Sequence, residues 1–255
     1  MLRPRVIPVL LFKSGGLYKT VKFKNPVYVG DPFNAVKIFN EKEVDELIFL
    51  DITATLEKRK PNFDYIAEIA SECFMPLGYG GGITTLDDIR TLVKSGVEKI
   101  IINSKAALQP EFISAASKEF ANSTIVISID VKKDLLGRKF VFTECGKAKT
   151  NYKPLDFAKQ MEQNGAGELM INSIDNDGMM TGYDLELLKN ISAEVSIPVV
   201  ACGGAGNLNH MLEAYSQTQI SAVAAGSMFV FHGKHKAVLI NYPSPIEIES
   251  LHSQR

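Results

Sequence analysis

Two glycine-rich motifs are the first sign of chemistry in this sequence. PLGYGGGITTLDDIRTLVKSGVEKIIINS occupies residues 76–104, and PVVACGGAGNLNHMLEAYSQTQISAVAAGS occupies residues 198–227. Each motif predicts a strand, a Gly-Gly turn, a helix and a second strand followed by a small polar pair. Glycine permits a positive φ at such a turn, and the following helix offers unpaired N–H groups to an anion. Two such motifs favour a phosphate site in each half of the chain, although a single Gly-Gly would equally suit a tight turn without a ligand.

The repeat also predicts the fold. Two similar units about half a chain apart indicate internal duplication, and eight predicted strands alternate with helices along the 255 residues. This pattern is typical of a (β/α)8 barrel, an α/β fold of roughly 250 residues. We expect half-barrels at about residues 1–122 and 123–243, followed by an irregular tail at 244–255. Residues 13–19 predict a flexible loop, 131–150 a polar hairpin or mobile loop, and 237–243 a strand-like segment in place of an eighth helix.

Composition narrows the class of function. The chain is 45% hydrophobic, which suits a large core, and its net charge of −1 gives no electrostatic reason to expect a nucleic-acid or membrane partner. The N-terminus predicts no signal peptide, and no apolar stretch predicts a membrane span. The widely spaced Cys73, Cys145 and Cys202 favour reduced thiols, a cytoplasmic location and no zinc site. We expect neither a metal nor a cofactor, since the dinucleotide-binding motif GxGxxG is absent.

Charged residues stand at the starts of predicted strands one, two, four and six; they are Arg5, Glu46, Lys99 and Glu168. Inward-facing positions recur every second residue of a strand, so Arg5 shares a face with Leu11, and Lys99 shares one with Asn103. We therefore expect these charges to form a ring of alternating sign at the N-terminal mouth of the barrel. The alternative for any one of them is an ordinary solvated strand start.

Further segments together resemble the cyclase subunit of imidazole glycerol phosphate synthase. They are LIFLDITATLEKR at 47–59, GGGI at 80–83, SIDNDGMMTGYD at 173–184 and GGAG at 203–206. The resemblance covers roughly residues 1–232 and extends in part to the related phosphoribosyl-formimino isomerase. It implies a barrel that uses ammonia to close an imidazole ring on a doubly phosphorylated ribonucleotide. It also implies a heterodimer with a glutaminase subunit that supplies the ammonia.

The resemblance assigns roles to matching positions. A first phosphate site falls on Gly82, Asn103 and Ser104. The second phosphate site falls on Asp177, Gly178, Gly203, Gly204, Gly226 and Ser227. Lys19 matches a loop lysine that helps to hold substrate, and Arg5, Glu46, Lys99 and Glu168 match the gate through which ammonia enters.

The catalytic positions depart from the family pattern. The family places one aspartate at the end of strand one and another at the end of strand five, because paired carboxylates can give and take protons. Strand five keeps Asp130 in ISIDVK, but strand one reads PVLLFK with Leu11 at the matching position. The internal repeat aligns the same two residues. Loss of an acid–base group costs about 10²–10⁴-fold in rate, so we expect ring closure to be impaired.

The sequence thus predicts an intact ammonia entrance and intact phosphate sites with one catalytic acid missing. Our main hypothesis is a diverged subunit that aminates a different phosphorylated substrate, such as a nucleotide-activated sugar for a surface polysaccharide. One alternative is a working cyclase of histidine biosynthesis. Another is an ammonia conduit or scaffold that performs no chemistry of its own.

Overall fold

The computed structural model describes residues 4–233 and 235–250, and its centre is a closed barrel of parallel strands. Each barrel strand pairs with the next along the chain, and the last pairs with the first, in register Arg5 with Ala222. The predicted (β/α)8 barrel is confirmed. Its strands are β1 (Arg5–Lys13), β2 (Leu47–Asp51), β3 (Leu77–Gly80), β4 (Lys99–Ile102), β5 (Ile125–Lys133), β6 (Glu168–Ser173), β7 (Val199–Cys202) and β8 (Ala222–Ala225).

Helices follow the barrel strands and cover their outer faces. Local sequence sets their starts: Asp31 caps the first helix, whose first residue is Pro32, and Thr85 forms a capping box with Asp88 on the third. No helix in the described part of the chain is both long and apolar enough to cross a membrane. The helices are α1 (Pro32–Glu41), α2 (Phe63–Glu72), α3 (Leu86–Lys94), α4 (Ser104–Leu108), α5 (Glu111–Glu119), α6 (Pro154–Gln163), α7 (Leu185–Ser192), α8 (Leu208–Gln217), α9 (Ser227–Val230) and α10 (Pro245–Ser250).

Alternation along the strands divides the apolar residues into two cores. One core lies between strands and helices and includes Val6, Leu10 and Phe39. The other fills the barrel and includes Ile7, Val9 and their neighbours on the other strands. Since successive side chains of a strand point to opposite faces, odd-numbered residues of β1 face the lumen and even-numbered residues face the helices.

A hairpin follows the first strand of each half-barrel. The first hairpin adds Gly16–Val21 and Lys24–Gly30 to β1, and the second adds Lys139–Thr143 and Ala148–Lys149 to β5. Leu11 pairs with Leu50 on the next barrel strand and with Tyr18 on its hairpin. Asp130 has the matching partners, Asn172 and Phe142. The structure thereby places Leu11 and Asp130 at equivalent points of the two halves.

The structure tests four segments whose form was predicted, and it differs from expectation in two of them, 13–19 and the C-terminal tail. The flexible loop predicted at 13–19 is wrong, because Ser14 and Gly15 make a turn at positive φ and the flanking residues pair as strands. The insertion at 131–150 is a hairpin, one of the two forms expected. After β8 the chain forms the short α9 and a two-stranded ribbon, Phe231–His232 with Ala237–Val238, where an eighth helix would lie. Helix α10 occupies part of the expected irregular tail, of which residues 251–255 lie outside the described residues.

Candidate functional site

A cavity of about 730 Å³ opens at the C-terminal ends of the barrel strands. Its wall includes every position predicted for phosphate binding and catalysis on this face: Lys19, Gly82, Asn103, Ser104, Asp130, Asp177, Gly178, Gly203, Gly204, Gly226 and Ser227. This is the end of a (β/α)8 barrel at which catalytic residues are found. Residues that lie far apart in sequence therefore share one concave surface.

The first glycine turn is shaped by close backbone approach. Gly82 has φ +74°, and a Cβ there would lie 2.7 Å from the carbonyl oxygen of Arg59. Asn103 is fixed by donating from Nδ2 to the carbonyl oxygens of Ser128 and Phe142, at 3.0 and 3.3 Å. Ser104, the first residue of α4, accepts at Oγ from the Glu144 backbone N–H at 3.1 Å. This corner of the cavity is built from backbone and small polar groups, as an oxyanion site requires.

The second glycine turn is tighter. Gly203 and Gly204 have φ of +82° and +122°, and a Cβ on Gly204 would lie 2.1 Å from the carbonyl oxygen of Gly182. A Cβ on Gly226 would lie 3.0 Å from Cε of Lys19. A side chain at any of these positions would crowd neighbouring protein atoms, so glycine allows the turn to pack this closely.

Lys19 reaches this second turn from the first hairpin. Its Nζ donates to Oδ1 of Asp177 at 2.9 Å, and Thr20 donates to Oδ2 of the same carboxylate at 3.2 Å. The backbone N–H of Lys22 donates to the Asp177 carbonyl oxygen at 2.9 Å. Asp177 thus ties the hairpin to the loop after β6. Lys19, expected on a loop, is a buried strand residue at the cavity wall.

Asp130 is a buried carboxyl group in the cavity. It accepts from Oγ of Ser128 at 3.2 Å, and its register partner is Asn172. Burial raises the pKa of Asp130 to about 7, with the nearby Asp177 adding to the rise, while hydrogen bonds from Ser128 and Asn172 oppose it. A carboxyl with its pKa near neutrality can both accept and return a proton, which suits general acid–base chemistry.

The two halves of the cavity differ in polarity around these positions. The wall near Asp130 carries Ser128 and Asn172, whereas Leu11 lies with Val9, Leu50 and Ile101. Leu11 has no group that can exchange a proton. The cavity therefore offers acid–base function from the second half-barrel opposite an apolar wall in the first.

The opposite mouth of the barrel holds the predicted charges as one ion-pair network, here called the charged ring (Arg5, Glu46, Lys99 and Glu168). Arg5 contacts both Glu46 and Glu168, and Lys99 Nζ lies 3.0 Å from Glu46 and 2.5 Å from Glu168. The Glu46 and Glu168 side chains are only 2% and 5% exposed. Burial raises the pKa of Glu46, while Lys99 and Arg5 lower it. The interpretation of these residues as independent, solvated strand starts is wrong.

The sequence alone predicts no role for Asp51, although Asp51 lies in the motif LIFLDITATLEKR. The Asp51 side chain is fully buried at the end of β2, where it accepts from the backbone of Thr53 and Ala54 and from Arg59 at 2.8 Å. It therefore shapes the loop beside the first glycine turn. Asp51 stands at the end of a predicted strand, as the small polar pairs of the two glycine-rich motifs do. That position was the signal that could have placed Asp51 near the site.

Cys145 also lines the cavity without having been predicted there. Burial raises its pKa to about 11, so the thiol is protonated at neutral pH and is a poor nucleophile. Among residues 4–233 and 235–250, no group of three or more His, Cys, Asp or Glu side chains is arranged to hold a metal ion.

Fold and cavity together define a barrel protein of the duplicated (β/α)8 class with a site at its C-terminal face. The family model described as "Histidine biosynthesis protein" matches residues 5–236. This chain belongs to that family, and within it to the HisF-like subunits of imidazole glycerol phosphate synthase.

Relatives align over nearly the whole chain. A Pseudomonas aeruginosa protein provisionally named imidazole glycerol phosphate synthase subunit hisF2 is 51% identical over 243 residues, which cover 95% of this chain and 97% of the relative. A Leptospira interrogans protein with a similarly provisional HisF name is 48% identical over 252 residues, covering 98% and 99%. The imidazole glycerol phosphate synthase subunit HisF of Alkaliphilus metalliredigens is 39% identical over 232 residues, covering 91% and 92%.

Proposed function

We propose that this chain is a cyclase-like subunit that receives ammonia from a glutaminase partner and aminates a phosphorylated nucleotide- or sugar-type substrate outside histidine biosynthesis. The observation that carries the proposal is a contrast between the two ends of one barrel. The charged ring is complete, whereas the cavity has Leu11 at the position equivalent to Asp130.

The charged ring supports the ammonia route. Glu46 Oε1 is a buried oxygen with no hydrogen-bond partner among the described residues, so an N–H of entering ammonia would satisfy it. Above the ring, the barrel interior is apolar and contains the small side chains Ala222 and Ala224. Neutral ammonia loses less solvation free energy than ammonium in such surroundings. A glutaminase docked at this mouth would deliver ammonia without releasing it to water.

The cavity supports a substrate with two phosphate groups. The two glycine turns lie on the same cavity wall, and Lys19 stands beside the second turn. Asp130 would act as the acid–base group on the reacting centre between them. The apolar surface at Leu11 removes the second proton carrier that ring closure uses in the resembling cyclase. An amination that needs a single acid–base group fits this wall better than ring closure with two proton carriers does.

Direct assay of the cyclase reaction tests the proposal. The doubly phosphorylated aminoimidazole carboxamide ribonucleotide is supplied with ammonium salt, which bypasses any glutaminase. We expect turnover about 10²-fold or more below that of the Alkaliphilus metalliredigens subunit under the same conditions. Leu11→Asp should raise this turnover, whereas Leu50→Asp, placed on the neighbouring strand of the same wall, should not.

Two results would count against the proposal. Turnover equal to that of the relative would establish a working histidine-pathway cyclase and refute the divergence. Failure of any glutaminase encoded beside this gene to bind the chain would remove the ammonia route. If a glutaminase binds, Lys99→Ala should uncouple glutamine hydrolysis from product formation with glutamine but leave the reaction with ammonium salt intact.

A further inference from the structure

The net charge of the chain conceals a strong local asymmetry in the two hairpins. Residues 13–30 and 131–150 together contain ten Lys and Arg side chains and two Asp and Glu side chains, although the whole chain has a net charge of −1. Both hairpins extend barrel strands beyond their C-terminal ends, so both lie on the face that holds the cavity. The two hairpins therefore carry a net positive charge, and the remainder of the chain is acidic. Lys19 is paired with Asp177, and Lys139 with Asp184 and Glu186, so the other hairpin cations supply the basic surface.

The turn of the second hairpin exposes two adjacent leucine side chains to solvent. Leu135 and Leu136 are 106% and 75% exposed, at a turn closed by a hydrogen bond from the Gly137 N–H to the Asp134 carbonyl oxygen at 2.9 Å. The Asp134 side chain also accepts from the backbone N–H groups of Leu136 and Arg138, at 2.9 and 3.0 Å. The turn is thus held in a defined shape that points both apolar side chains outward. Two adjacent leucines held outward add nothing to the core, and they are available as an apolar contact site.

Cations gather on the hairpin that carries these leucines. The Phe140 ring on the same hairpin is flanked by Lys149, Lys153 and Arg138, at 3.6, 3.8 and 5.7 Å. Asp134 is paired with Arg138 at 2.8 Å and with Lys149 at 3.6 Å, so its single charge is shared between two of them. The hairpin at 131–150, with six Lys and Arg against Asp134 and Glu144, therefore keeps a net positive charge beside its apolar turn.

The first hairpin repeats the combination. It contains four lysines and no acidic residue. Val27 and Tyr28 are 58% and 57% exposed on its outer arm. Its turn also contacts the second hairpin, because a Cβ on Gly146 would lie 3.1 Å from the Phe23 ring. The two hairpins thus form one basic surface with separate apolar projections.

We propose that this face binds an anionic membrane surface, with Leu135 and Leu136 inserted at the level of the upper acyl chains and the hairpin lysines on lipid phosphates. An alternative is that the cations attract a small phosphorylated substrate to the cavity. That alternative does not explain why two leucines are exposed. A protein partner would favour a contiguous apolar patch, whereas a fluid bilayer accommodates separate projections. The proposal goes beyond the proposed amination and does not depend on it.

Vesicle sedimentation with the full chain tests this surface. The probes are phosphatidylcholine vesicles with and without phosphatidylglycerol, at low salt. We expect pelleting with the anionic vesicles, little pelleting with the neutral ones, and weaker binding as added salt shortens the screening length. The double variant Leu135→Ser, Leu136→Ser should bind about tenfold or more weakly, because the buried apolar area is lost. Lys22→Glu with Lys24→Glu should reduce binding through charge alone.

Matched controls distinguish this face from the rest of the chain. Phe74→Ser removes an apolar side chain that is 87% exposed at the other end of the barrel, and it should leave vesicle binding unchanged. Lys94→Glu with Lys118→Glu changes the net charge as much as the hairpin pair and should have the smaller effect. Thermal unfolding of each variant shows whether it is folded. Absence of binding to anionic vesicles would overturn the proposal and would point to an acidic protein as the partner of this surface. Binding that is unchanged by loss of the two leucines would refute their insertion into the bilayer.

Discussion

Replacing Lys99 with methionine tests whether the charged ring is one coupled, buried network. Methionine keeps most of the length of the lysine stem and removes its charge. In the structure Lys99 contacts both Glu46 and Glu168, whose side chains are almost completely buried. The variant leaves Arg5 to compensate both carboxylates. Because an uncompensated buried charge is the main cost of breaking such a pair, the loss should be far larger than at the surface.

The magnitude follows from the geometry. Breaking a buried ion pair costs about 3–5 kcal/mol, and the lower end applies because Arg5 still contacts both glutamates. A loss of about 3 kcal/mol lowers the unfolding midpoint of a chain of this length by about 6–12 °C. Lys159→Met is the matched control, since Lys159 pairs with Glu194 at 2.6 Å but the two side chains are 42% and 51% exposed. That control should cost less than about 1 kcal/mol.

The pH dependence provides a second check on the same variant. Lys99 lowers the pKa of Glu46, so its removal should raise that pKa further above the ordinary value. A carboxyl group whose folded-state pKa is raised contributes stability below its unfolded pKa and loses it as the pH rises through the folded value. The deficit of the variant should therefore be largest at neutral pH and smaller below about pH 5. Thermal unfolding by circular dichroism measures both effects. A midpoint within about 1 °C of the parent, or a deficit independent of pH, would refute the coupled ring.

Other positions give equally direct predictions. Because the pKa of Asp130 is raised to about 7, the parent should lose about 4 kcal/mol of stability as the pH rises from about 4 to 7. Asp130→Asn should remove most of this decline, and chemical unfolding at several pH values measures it. Turnover that depends on the ionised Asp130 carboxylate should rise as the pH passes through about 7 and disappear in the asparagine variant. Gly204→Ala should lower the unfolding midpoint and weaken binding of inorganic phosphate, since its Cβ would lie 2.1 Å from a carbonyl oxygen. Gly15→Ala, at φ +81° where no described atom lies within 4 Å, should show only the smaller cost of backbone strain, about 1 kcal/mol, and leave phosphate binding intact.

The limits of sequence reasoning are clearest in the hairpins. Lys13–Lys19 lacks a strong alternation of apolar residues, and its two glycines suggested a loop. The structure pairs these residues with β1 because the turn at Ser14 and Gly15 aligns them in register, a long-range effect that local propensity does not contain. Lys19 is buried for the same reason. The overall charge likewise concealed a basic face, because a sum over residues carries no information about where they lie.

The charged ring shows the opposite case, in which spacing was sufficient to predict neighbours. Strand starts at matching positions of a closed barrel must meet at the same mouth. The alternation of inward- and outward-facing residues therefore predicted that Arg5 and Lys99 share a surface there. This alternation could not predict which charged residues form ion pairs with one another. That each cation contacts both glutamates, and that Glu46 is almost completely buried, depends on the stagger and diameter of the barrel.

The sequence by itself determined the barrel, the positions of the two glycine turns and the equivalence of Leu11 and Asp130. These properties are periodic or local: alternation of strands and helices, backbone that only glycine tolerates, and a repeat that aligns Leu11 with Asp130. The tertiary structure alone decided the pKa of Asp130, the burial of Lys19 against Asp177, the position of Asp51 beside the first turn and the concentration of positive charge on one face. Each of these depends on distances between residues remote in sequence and on the exclusion of water between them, because electrostatic interactions strengthen as the surrounding medium becomes less polar.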